Sequence, residues 1–284
     1  MEKQTVYKLL IRSFFLTLGM WLIWFGANTF FNGEVWQGMV VSKSALMTEY
    51  CEFNNVARFF HQRMNTYSNL AYFFFGVLIL QMANEDHKNQ GIKKQNRLES
   101  FPLLSAFMGL GFVYLSFGSA FFHASLTYIG QRVDMNGTYG ITLVLVSITL
   151  YHVLHRVTFT PSLKIAWLAS FFVIIVLFLK IALLIPSAKL LPSLILVMLI
   201  GMVINYFQFR KERLISLVVL SLVLMVVAIK IRTMDVQKMG CNPYSCYQGH
   251  SVWHLLTAIS SFCSYSFFRF AGTTSNRSMS VSYE

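Results

Sequence analysis

Charge is what this sequence has least of. Only 12% of its 284 residues are Asp, Glu, Lys or Arg, and the acidic ones number 11. Soluble domains carry roughly 25% charged residues, and one small core has no room for a chain that is 56% hydrophobic. A water-soluble globule is therefore the poorer reading, and disorder is excluded because it needs low hydrophobicity. Internal repeats and low-complexity tracts are also missing, so solenoid and linker-like architectures drop out.

The gaps between charges outline the architecture. Stretches free of Asp, Glu, Lys and Arg run over 13–33, 64–84, 100–131, 135–155, 165–179, 190–209, 214–229 and 239–268. A helix crosses a hydrocarbon core of roughly 30 Å with about 20 mostly apolar residues. The fifth stretch reaches that length by taking in Lys180, the seventh by taking in its flanks. Eight spans are predicted. They read as helices, since barrel strands would alternate polar and apolar residues. The fold class is all-α, a polytopic membrane helix bundle.

The formal charge of +12 raises nucleic acid as a partner, but its placement points to topology. With a cytoplasmic N-terminus, eight alternating spans put fourteen Lys and Arg inside, among them Lys93, Lys94, Lys211 and Arg277, against eight outside. Both termini then lie in the cytoplasm. The lipid bilayer is the expected partner, with weak attraction to anionic lipid as a by-product. Basic residues precede the first apolar segment and Gly26 and Ala27 lie near its end, so a cleaved signal peptide competes with a retained helix, whose length favours retention. Residues 1–33 are read as an N-terminal transmembrane helix or signal anchor. The helical core with its preceding outer segment covers 34–271, and 272–284 form a short tail. Cys51, Cys241 and Cys246 fall on the outer side, and Cys263 lies in the last span. Outer cysteines are disulfide-permissive, and pairing of Cys51 with Cys241 or with Cys246 stays open.

Five side chains stand out because ionisable groups at membrane depth need a reason to exist. His250 and His254 in QGHSVWHLL are four apart, which puts them on one helix face about 6 Å apart along the axis. Imidazole is the commonest protein metal ligand. Ser119 and His123 in GSAFFHASL share a face in the same way, and Asp134 follows where the fourth span begins. The plain alternatives are a serine bonded back to its own helix, a carboxylate capping a helix at the interface, and isolated core histidines. Topology favours a joint site: His123 ends an outgoing span and His250 and His254 begin an incoming one, so all three share a membrane half with Asp134. Three neutral imidazoles and an open position suit a catalytic zinc site. Zinc would make a water acidic near neutral pH, Asp134 would take its proton, and Ser119 would donate to the oxyanion. His152 and His155 share a face too, but at the inner end beside Arg156, and read as interfacial residues at a helix C-terminus. His61 and His87 read as loop residues.

The runs YCEFNNVARFFHQRMNTYSNLAYFFFG, GSAFFHASLTYIGQRVD and CNPYSCYQGHSVWHLLTA together resemble the alkaline ceramidase family, within a wider superfamily of seven-helix membrane hydrolases and receptors. The resemblance covers roughly residues 49 to 270, which implies a seven-helix hydrolase core plus one added N-terminal helix. It implies zinc on His123, His250 and His254, completed by Ser119 and Asp134. The implied activity is hydrolysis of the ceramide amide to a sphingoid base and a fatty acid, and the implied disulfide joins Cys51 to Cys241. Two positions depart from the family pattern. Glu49, Tyr50, Glu52 and Asn54 match its calcium-binding segment, but Arg63 stands where that segment has its final glutamate. Calcium is therefore not expected, and Arg63 is expected to pair with Glu49 or Glu52 in its place. Met135 stands where the eukaryotic enzymes have Glu, and the forms NTYSNLAY and QGHSVWHLLTA are nearer the bacterial members.

Competing readings are an esterase or lipase on another acyl lipid, and a non-enzymatic lipid-binding receptor of the progestin and adipoQ type. A transporter using Lys180 is the last of them. The sequence does not separate the amide from the ester substrate, since one nucleophile serves both.

Overall fold

The computed structural model describes residues 3–90, 96–185, 187–210 and 213–270. Four basic residues of the inner tally (Lys93, Lys94, Lys211 and Arg277) and the tail 272–284 lie outside the described residues. The described chain is helical, with two isolated β-bridges and no strand beyond them. Helix α1 spans Lys3–Phe30. A 3-10 turn at Gly33–Trp36 and the short α2, Lys43–Leu46, follow in the connecting segment. Then come α3 (Arg63–Ser68), α4 (Leu70–Lys88), α5 (Pro102–Ser125), α6 (Tyr128–Val153) and α7 (Pro161–Leu184). Helices α8 (Ser187–Gln208), α9 (Ile215–Val236) and α10 (Gly249–Arg269) complete the bundle.

Among the described residues, 7 helical segments are long and apolar enough to cross a membrane, rather than the eight expected. The one that falls short is α10, which has the 21 residues but too many Ser, Thr and His among them. Its polar atoms are met inside the bundle: the Ser221 hydroxyl of α9 lies 2.8 Å from Ser264 Oγ and 3.1 Å from Ser260 Oγ. Burial among α9, α3, α4 and α6 replaces apolarity as the reason α10 belongs here. The second predicted span is also interrupted. Asn69 separates α3 from α4, and its carbonyl accepts from the Ser116 hydroxyl at 2.8 Å and from Tyr72 N–H at 3.1 Å.

Two glycines let α5 and α6 lie close. A Cβ on Gly118 would stand 2.9 Å from Val133 Cγ1, and one on Gly137 would stand 2.9 Å from Leu115 Cα. Small residues at such a crossing allow the backbones to approach, and this brings the Ser119 face of α5 to the Asp134 face of α6. Thr127 caps α6 by accepting from Gly130 N–H at 3.2 Å, and Leu126 before it sits at φ 53°, which turns the chain sharply between the two helices.

One end of the bundle is capped by residues 31–62. This segment is stitched down by Cys51–Cys241, a disulfide between residues 190 apart, and by Cys51 N–H donating to Asp235 Oδ2 at 3.1 Å. Further along, His61 and Gln62 N–H donate to the Ala124 and His123 carbonyls, each at 3.0 Å. Cys246 is free and exposed, Cys263 free and buried, so the pairing left open between Cys241 and Cys246 falls to Cys241. The opposite end is closed by two arginines, Arg269 buried and Arg97 half-buried. Arg269 pairs with Asp86 at 2.5 Å and with Glu99, while Arg97 donates to the carbonyls of Tyr151, Leu154, His155 and Val157 at the end of α6. The last carbonyls of a helix lack partners within it, and Arg97 supplies one to Tyr151. Between the ends runs an apolar core with Ile79, Leu104, Met108, Phe112, Met202 and Phe267 at its centre.

Candidate metal centre

Two helices deliver the three histidines. His123 lies one turn from the end of α5, and His250 and His254 occupy the first two turns of α10. All three are buried, and one ring nitrogen of each lies within 4.8 Å of the others. Ring centroids are 4.9 Å apart for His123 and His250, 5.1 Å for His123 and His254, and 4.5 Å for His250 and His254. Among the described residues this is the one group of three His, Cys, Asp or Glu so disposed.

The hydrogen bonds around the cluster decide which nitrogens are free. Gln62 Nε2 donates to Asn54 Oδ1 at 2.7 Å, and Gln62 Oε1 accepts from Asn65 Nδ2 at 3.1 Å. The amide oxygen therefore faces His123, and His123 Nδ1–H donates to it at 2.6 Å. That leaves the Nε2 lone pair of His123 with no partner. Ser68 works in the same way: its hydroxyl proton goes to the Asn65 carbonyl at 2.9 Å, so its oxygen accepts from His254 Nδ1–H at 2.7 Å. Holding the far nitrogen of a ligating imidazole fixes its tautomer and its aim. His250 Nδ1 is buried without a partner, and its ring stacks on Tyr50 at 3.8 Å between centroids. Orphaned buried nitrogens are rare and call for an occupant. Three convergent imidazoles with lone pairs turned inward fit a divalent transition metal.

Ser119 is buried one turn deeper on α5, and Asp134 is half-buried on α6. Ser119 lies near enough to act on the Asp134 carboxylate, but its hydroxyl closes no hydrogen bond. The carboxylate stands outside the imidazole cluster. Arg232 also acts on Asp134 through its field, and pairs with Glu49 at 3.2 Å. Tyr50, above the cluster, keeps its phenol proton because burial pushes its pKa well above the usual range, with Glu49 adding to the effect.

Several expectations are corrected here. Arg63 does not pair with Glu49 or Glu52. Glu49 goes to Arg232, and both Glu52 oxygens are taken by backbone N–H groups, Met64 at 2.6 Å and Asn65 at 2.8 Å, while Arg63 is exposed and reaches Glu52 only through its field. Backbone donors at the start of α3 are nearer than a solvated guanidinium, and they win. His61 lies in the loop as expected, with both ring nitrogens unpartnered, but it is buried. His87 belongs to the last turn of α4. Met135 turns away from the histidines into an apolar cluster with Tyr139 and Phe178, and Lys180 is exposed on α7. His152, buried and bonded through Nδ1 to the Ile148 carbonyl at 2.8 Å, packs on Phe268 toward the opposite end and takes no part in the cluster.

Sequence reasoning missed Gln62, Ser68 and the stacking role of Tyr50. The signal was present in HQRMNTYSN, where amides and hydroxyls crowd the start of an otherwise apolar span and no lipid-facing helix has use for them.

With seven membrane-length apolar helices and a triple-imidazole cluster at one end among the described residues, the chain falls in the class of multi-pass membrane proteins with a site that could hold a metal. A family model described as Ceramidase matches residues 43–283, and the chain belongs to that family. It is a hydrolase acting on the amide bond of ceramide. No curated protein and no solved structure matches the chain.

Proposed function

We propose that this ceramidase is a zinc-dependent intramembrane amidase that cleaves the N-acyl bond of ceramide or a related lipid amide. The carrying observation is the trio His123, His250 and His254, buried, convergent and with two tautomers fixed by Gln62 and Ser68. Zinc bound there supplies a Lewis acid and a water that is nucleophilic near neutral pH. Asp134 would take the proton of the attacking water as that oxygen adds to the acyl carbon. Ser119, whose hydroxyl is buried and uncommitted, donates to the oxygen on which negative charge develops, a contact worth most in the transition state. When the C–N bond breaks, the proton held by Asp134 passes to the amine, and a fatty acid and a sphingoid base leave. Tyr50 and Tyr72 wall the site: the Tyr72 hydroxyl is held 2.5 Å from Thr257 Oγ1 and its ring packs edge-on to His254.

The loop charges support a cytoplasmic position for both termini, with the metal centre toward the outer leaflet. Residues 1–33 are an added helix beside a seven-helix hydrolase core over 34–271. The test is incubation of the pure protein with ceramides, acyl esters and phospholipids, with and without a chelator, followed by product masses. Chelator-sensitive release of fatty acid and sphingoid base is expected. Release that survives complete metal removal would refute the zinc reading, and release from esters alone would refute the amidase reading.

A further inference from the structure

A second cleft opens at the capped end, behind the wall that carries Gln62. It is an open cleft of about 160 Å³ between the 52–64 segment and Pro243–Ser245. Its polar lining is Glu52, Asn55, Arg58, His61, Arg63 and Ser245, with Tyr244 at its edge. Glu52 is the acidic member, and both its oxygens are already spent on the Met64 and Asn65 N–H groups. Arg58 and Arg63 are exposed, and neither forms an ion pair with a described residue. His61 is nine-tenths buried, and neither of its ring nitrogens has a partner. The Ser245 oxygen accepts from Tyr247 N–H at 3.0 Å and keeps its own proton to give.

What remains on offer is dominated by donors: two guanidinium forks, an imidazole N–H, a hydroxyl and the Asn55 amide, whose oxygen can also accept. Guanidinium forks match oxyanion geometry bidentately, and an orphaned buried imidazole gains most from an occupant that completes its bonding. The wall is held before anything binds. Asn55 N–H donates to the His61 carbonyl at 2.8 Å, Arg58 N–H to the Asn55 carbonyl at 3.1 Å, and Phe60 N–H to Asn28 Oδ1 of α1 at 3.0 Å. The disulfide from Cys51 to Cys241 ties the two sides of the cleft together. Preorganisation of this kind lowers the cost of binding.

We propose that this cleft is an oxyanion site that binds a phosphate group, separate from the metal centre and sharing with it the His61–Gln62 wall. A free phosphate and a lipid headgroup phosphate present the same chemistry. They are told apart by titrating the full-length protein, in a phosphate-free maltoside micelle, with inorganic phosphate in one arm and dihexanoyl phosphatidic acid in the other, and reading binding by calorimetry. The expected result is saturable one-to-one binding in at least one arm, weakened tenfold or more in Arg58→Gln/Arg63→Gln and weakened in His61→Phe. Binding of both ligands identifies the bare anion as sufficient, and binding of the lipid alone identifies the headgroup. The metal content of the variants is measured alongside, to show that the neighbouring centre is intact. Absence of saturable binding in both arms, or equal binding by the double variant, overturns the proposal whatever the outcome for zinc.

Discussion

Replacing Gln62 by Met would keep the length of the side chain and remove its hydrogen bonds. Three contacts go: the acceptor for His123 Nδ1–H at 2.6 Å, the acceptor for Asn65 Nδ2 at 3.1 Å, and the donor to Asn54 Oδ1 at 2.7 Å. His123 has no exposure and Asn65 none, so water cannot replace the lost partners. Leaving a buried polar group unpaired costs about 1–3 kcal/mol. More to the point, His123 no longer has a reason to carry its proton on Nδ1, and the Nε2 lone pair is no longer guaranteed. Loss of such a supporting contact typically weakens metal affinity by about 10–100-fold, equivalent to roughly 1.4–2.8 kcal/mol. The assay is competition for zinc between the stripped protein and a chromophoric chelator, with thermal melting run in parallel. A rise in Kd within that range is expected. A variant that melts earlier yet binds zinc as wild type would refute the tautomer argument and leave Gln62 a scaffold residue only.

Asp134→Asn should retain metal and lose roughly 10²–10⁴-fold in turnover, as removal of a general base does, and normal turnover on lipid amides would refute its proton-transfer role. Ser68→Ala orphans His254 Nδ1–H as Gln62→Met orphans His123, so it should lower zinc affinity without abolishing it, read by the same chelator competition. Cys51→Ser opens a loop of 190 residues and should cost roughly 2–4 kcal/mol, seen as a lower melting midpoint that reductant also produces in the wild type. Burial raises the Glu52 pKa from 4.5 to about 7 against the pull of two backbone N–H bonds. The fold thus favours its protonated form, and that stability is complete below about 4.5 and lost as pH rises through about 7. Glu52→Gln should flatten this part of the melting-versus-pH curve; parallel curves for variant and wild type would show that Glu52 does not titrate there.

Local chemistry carried much of this protein in the order of its residues. Lipid demands helices that satisfy their own backbone, so the charge-free stretches were bound to appear as long helices, and seven segments do so by length and apolarity. The four-residue spacing of His250 and His254 likewise forces them onto one face wherever that helix lies. Tertiary structure decided what depends on partners distant in the chain. Only the docking of the 31–62 segment and of α3 shows that Gln62 and Ser68, rather than a carboxylate, hold the outward nitrogens of His123 and His254. The amides and hydroxyls that perform this service look alike in sequence, because a hydrogen bond depends on a separation of about 3 Å and an angle. The same holds for α10, whose Ser and Thr residues argue against a membrane span until α9 is seen to answer them. It holds too for Arg63, which lost Glu52 to two backbone N–H groups one and two residues further on. A linear string records which groups exist; which of them win a partner is settled by the competition that packing stages.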